Sequence, residues 1–73
     1  MPITEEQKKN ILALQKEEIN GHYTYLRLAN AIKDEHNAQV MKRIAQEELK
    51  HYQIWQRYTQ KETQPNTFRI RFY

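Results

Sequence analysis

The chain has 73 residues, a formal charge of +3 from 12 Lys and Arg against 9 Asp and Glu, and no cysteine. One small domain is the most that this length supports, and its core is marginal without a staple. The missing cysteines exclude disulfides and thiolate metal sites and favour a reducing compartment, leaving a metal held by other side chains or a partner subunit as the staple.

The first residues, MPITEEQKK, carry acids and no apolar core, so they do not form a signal peptide. Thr4 is placed to cap a helix, with Gln7 three residues later completing a capping box. The pattern predicts a first helix from about Glu5 to about Lys33. Gly21 falls inside it at a cost of ~1 kcal/mol relative to Ala, which close helix packing would explain. KDEHN, Lys33 to Asn37, is the strong internal loop signal; it offers Asp34 and Asn37 as caps, and His36 reads as a turn residue. A second helix is predicted from about Ala38 to about Lys61, ended by TQPNT, in which Pro65 disfavours helix at the residue before it. A loop this short makes the two helices antiparallel neighbours, a hairpin over residues 1–64.

Residues 65–73 read as a tail leading on to a missing segment. Two of the excess positive charges lie in its FRIRFY, without which the chain is near +1, so the body offers no broad basic face for nucleic acid. FRIRFY suits either a strap over the bundle or the edge of an anionic membrane surface. No apolar run approaches the ~20 residues of a membrane span.

Within the second helix, alternating steps of three and four from Met41 give Met41, Ile44, Glu48, His51, Trp55 and Tyr58, a heptad seam flanked by Val40, Ala45, Tyr52 and Ile54. The same walk in the first helix gives Ile11, Gln15, Glu18, His22, Tyr25, Ala29 and Ile32, beside Leu12, Ile19 and Leu26. Both seams carry polar residues in the middle and apolar residues at the ends. A turn near residues 34–36 brings Glu18 level with residue 51 or 52, and Glu48 within about one helical turn of Glu18. Glu48 and His51 are three apart, share a face and can grip one ion. Trp55 and Tyr58 are expected to close the apolar end, while Glu17 and Glu47 point ~100° away from their neighbours. The competing reading makes the seam acids half-exposed residues at the edge of a loose hairpin.

A lone hairpin cannot enclose its seam. Two hairpins make a four-helix bundle, and a two-fold dimer is the commonest oligomer. That dimer would gather two copies each of Glu18, Glu48 and His51. Four carboxylates in a core cannot all stay ionised unaided, because each buried charge costs several kcal/mol. Two divalent ions would neutralise them, and a set of carboxylate and imidazole without sulfur suits iron or manganese, with zinc also accepted.

Glu18 followed by Tyr25, then Glu48-Leu49-Lys50-His51, resembles the ferritin-like di-iron carboxylate proteins, rubrerythrin in particular, which take one Glu from each of two helices and Glu-x-x-His from the other two. EEINGHYTYLRLA and RIAQEELKHYQIWQRYT look closer still to the rubrerythrin-like domain at the N-terminus of vacuolar iron transporter-like proteins. The resemblance covers about residues 11–60. It implies an all-α, ferritin-like four-helix bundle completed by a homodimer, with Glu18, Glu48 and His51 as metal ligands to two iron ions per dimer. His22 and Tyr25 are candidates for a further ligand or for orienting the ligands, each weighed against a plain core role. The chain departs from the subgroup at Gly21, where an acid is expected, and it lacks a Cys-rich electron-donor part.

Two functions follow as expectations. One is a di-iron centre with ferroxidase- or peroxidase-type iron oxidation, or iron capture for transport, in the cytoplasm or in the soluble domain of a membrane protein. The other is a non-catalytic helical dimerisation module whose inward polar residues only set register. A third and weaker reading is a membrane-surface hairpin anchored by the basic tail.

Overall fold

The computed structural model describes residues 3–66, so the expectations for FRIRFY lie outside the described residues. Two helices, α1 (Glu5–Ala31) and α2 (Glu35–Thr59), make an antiparallel hairpin with no strand among the described residues. Gln15 meets Thr59, Gly21 meets Glu48, and His22 meets Ala45, so the numbers fall on one helix as they rise on the other.

The ends follow from capping chemistry. Thr4 Oγ1 accepts the Gln7 N–H at 3.0 Å, and Gln7 Oε1 accepts the Thr4 N–H at 2.9 Å. This is the expected capping box, and it satisfies two donors that the helix cannot. α1 stops at Ala31 rather than near Lys33, because Ile32 turns extended (φ −82, ψ 127). α2 starts at Glu35 rather than near Ala38, because Asp34, not Asn37, is the cap: Asp34 Oδ1 accepts the Asn37 N–H at 2.9 Å. His36 therefore sits in the first turn of α2 and not in a loop. α2 ends at Thr59, short of Lys61. The cause is upstream of Pro65: Gln60 adopts the left-handed conformation (φ 56, ψ 31).

That reversal sends residues 61–66 back across the hairpin as a strap. Gln15 Nε2 donates to the Lys61 carbonyl at 2.6 Å, and Gln15 Oε1 accepts from Thr59 Oγ1 at 2.7 Å. The Tyr52 hydroxyl accepts the Thr63 N–H at 3.1 Å and lies 3.3 Å from the Thr63 carbonyl, to which it donates. The Asn66 N–H donates to Asn20 Oδ1. Gln15, Asn20 and Thr59 are buried, and this network meets their polar groups.

The interhelical core is narrow. Ile19, His22 and Ala29 of α1 and Ala45 and Tyr52 of α2 are buried. Contact therefore runs along the Ala45, Tyr52, Thr59 stripe of α2, one step round the helix from the expected seam. Along that seam Met41, Ile44, Glu48 and Trp55 are half-buried, and His51 and Tyr58 are exposed. The molecule measures 45 × 24 × 13 Å. Its least dimension is close to one helix diameter, so it is a single layer. Each helix of such a layer buries only the stripe turned to the other. The α2 seam lies beside that contact, whereas in α1 the expected seam is itself the buried stripe: Gln15, His22 and Ala29 are buried, and Gln15 meets the strap.

Candidate metal centre

Glu18 projects from the middle of α1. Glu48 and His51 project from α2, one turn apart on the same face. One ligating atom from each of the three lies within 4.8 Å of the others, close enough to hold one metal ion. His51 Nδ1 is 3.4 Å from Glu18 Oε2. The level match of Glu18 with residue 51, read from the turn position, is what the fold produces.

The electrostatics are those of two carboxyls crowded together. Glu18 Oε2 is buried and makes no hydrogen bond, with His51 Nδ1 beside it as its ion-pair partner when that ring is protonated. Glu48 is pushed up from 4.5 to about 7, first by the hydrogen bond it shares with Glu18, then by burial and by the Glu18 charge; His51 opposes this and Glu47 adds to it. Two carboxyls at this distance cannot both ionise cheaply, so they hold a proton between them near neutral pH. A divalent ion would take the place of that proton. Three side chains of this kind, two oxygen donors and one imidazole nitrogen, match the preference of iron, manganese or zinc.

His22 is buried, but it is not part of this cluster. Its Nδ1 lies 2.7 Å from the Ala45 carbonyl. A carbonyl can only accept, so Nδ1 carries the proton and anchors α1 to α2. This is the core role weighed for it in the sequence. Its ring also packs edge-on to Tyr23, with centroids 4.9 Å apart. Tyr25 is half-buried, and no hydrogen bond joins its hydroxyl to Glu18 or Glu48 among the described residues. Glu17 and Glu47 are exposed, as their angular positions require.

The cluster opens to one side. A cleft of about 260 Å³ is lined by Glu18, His51, Ile54 and Trp55. Beyond Trp55 a second cleft, about 270 Å³, is lined by Ile3, Gln7, Asn10, Ile11, Trp55 and Tyr58. Trp55 and Tyr58 have ring centroids 6.2 Å apart, and Tyr58 is 55% exposed. Within one hairpin they do not close an apolar end; they form the floor of an uncovered one. Sequence reasoning passed over Ile54 as a mere flank of the seam. Its exposed place beside the acidic cluster is settled by the turn of α2 against α1, which periodicity alone does not fix.

Fold and site together define a helical hairpin carrying a two-carboxylate, one-imidazole group able to hold a metal. Comparison of the chain with protein-family profiles, with curated proteins and with solved structures gives no match.

Proposed function

We propose that this chain binds an iron-group divalent metal through Glu18, Glu48 and His51, and that two copies share a di-iron centre in a ferritin-like four-helix bundle. The observation that carries the reading is the convergence of the three side chains within 4.8 Å around a buried carboxylate oxygen that makes no hydrogen bond.

The second copy is argued from what one chain leaves undone. Three side chains would leave open positions on iron that a second copy's carboxylates could fill in place of water, and the site lies on an open flank. That flank is apolar around the site, with Ile11, Ile44, Trp55 and Tyr58 half-buried or exposed. Covering it with a second copy buries this surface and brings four carboxylates to two divalent ions, a neutral set. Carboxylates can span two metals, and the likeness of Glu18 and Glu48-x-x-His51 to the rubrerythrin ligand pattern favours iron. Bound iron supplies one-electron chemistry with dioxygen or peroxide. The chain's own residues would hold the ions through Glu18, Glu48 and His51, with Trp55 lining the cleft that leads to them. Oxidation of iron, or its capture for delivery elsewhere, is the activity this arrangement serves.

Metal analysis joined to light scattering tests the reading. The expected result is a dimer carrying about one iron-group ion per chain, with a melting temperature that falls on chelation. A protein that takes up no metal, and is as stable with Glu48→Ala as without, would instead be a helical interaction module.

A further inference from the structure

Gly21 sits in the middle of a 27-residue helix, where glycine is the poorest choice short of proline. The backbone does not ask for it, since no glycine among the described residues has a positive φ. What requires it is space. A Cβ built at Gly21 would lie 3.0 Å from Glu48 Oε2, 3.1 Å from Glu48 Cδ and 3.4 Å from Glu48 Cγ. All three neighbours belong to the carboxyl arm of one candidate ligand. Gly21 also follows Glu18 by three residues, so it lies on the same side of α1.

We propose that Gly21 is a positioning residue for the metal site: its missing side chain leaves the niche against α1 that holds the Glu48 carboxylate in register with Glu18 and His51. The inference rests on the metal reading above and deepens it. A methyl group here would force its neighbour to give by a few tenths of an ångström. For the fold that is a small demand, because the yielding atoms are the end of a flexible side chain. For a metal site it is a large one, since ligand distances must hold to within about 0.2 Å. Folding and metal binding therefore respond to one substitution in opposite directions. Alanine at position 21 improves helix propensity and displaces a ligand oxygen.

The test compares the full-length wild type, Gly21→Ala and Glu48→Gln. Metal-free protein is melted by circular dichroism and then titrated with Co(II), read by its visible d–d absorption. Gly21→Ala is expected to melt at or above the wild type without metal. It should bind Co(II) about ten- to a hundredfold more weakly, with an altered band, as is usual when a group orienting a ligand is changed. Glu48→Gln marks the effect of losing the ligand itself. Wild-type affinity and an unchanged spectrum in Gly21→Ala would overturn the positioning role while leaving the metal reading intact. A lower melting point of metal-free Gly21→Ala would make Gly21 a packing residue and overturn it too. If the wild type takes up no Co(II), the metal reading fails first, and the role of Gly21 falls with it.

Discussion

Replacing Glu48 by Gln in the metal-free protein should stabilise it at pH 8, although it removes a charged residue from a helix. Glu48 has its carboxyl raised from 4.5 to about 7 by the hydrogen bond with Glu18, by burial and by the Glu18 charge. The folded chain thus holds a proton between those values that the unfolded chain has already lost. The stability contributed by this group is complete below pH 4.5 and is lost as pH rises through about 7. At about 1.36 kcal/mol per pH unit the interval corresponds to ~3 kcal/mol. Glu48 is only half-buried, and solvent screening reduces that to ~1–2 kcal/mol. Gln keeps the volume and offers Glu18 a permanent donor without the second charge. For a domain of this size the gain corresponds to a rise of about 5–10 °C in Tm. Thermal melts at pH 5, 6, 7 and 8 in the presence of chelator measure it. The wild type should fall behind Glu48→Gln progressively above pH 5. Equal pH profiles for the two proteins, or a less stable Glu48→Gln at pH 8, would refute the reasoning.

Binding of a metal must displace the same proton, so apparent Co(II) affinity should rise by about one log unit per pH unit up to about 7 from this group and level off above it; titration calorimetry in buffers of different ionisation heat counts the proton released. Gln15 is fully buried and joins Lys61 and Thr59. Gln15→Ala should cost ~2–3 kcal/mol in urea unfolding, since it removes two hydrogen bonds and strands Thr59. Tyr52→Phe, which loses only the hydroxyl contacts to Thr63, should cost ~1 kcal/mol in the same assay. His22→Ala should lower stability while leaving metal stoichiometry unchanged, because its Nδ1 serves the Ala45 carbonyl and not the cluster; loss of metal in a folded His22→Ala protein would make His22 a ligand.

Much of the hairpin was legible because its signals are local. Thr4 with Gln7, and Asp34 before a polar turn, are capping patterns that need no tertiary context, and both caps form. The meeting of Glu18 with His51 followed from rise per residue and the place of the turn. The heptad seam was misread in one respect. Periodicity finds the apolar side of α2 but not which stripe of that side faces α1. Ala45 and Tyr52 take the contact, and the larger Met41-to-Tyr58 series is left on the flank.

The strap escaped because it depends on Gln60 in a left-handed conformation, for which glutamine gives no warning. Its one trace in the sequence was Gln15, a polar residue on the α1 seam; Asn20 and Thr59 are seen to be buried only in the folded chain, where the strap backbone serves Gln15 and Asn20, and Gln15 serves Thr59. Gly21 was visible as an anomaly, a helix breaker in mid-helix where an acid was expected. Its reason, the Glu48 carboxyl 3.0 Å from where a Cβ would be, exists only once α1 and α2 are packed.

Anomalous scattering from a crystal of protein grown with Fe(II) tests the central claim most directly, since it reports metal identity, number and ligands at once. The account predicts two iron peaks between two copies of the chain, each within bonding distance of Glu18, Glu48 or His51 side chains drawn from both. An ordered structure with no peak at these residues, or with a lone hairpin holding one ion by itself, would contradict it.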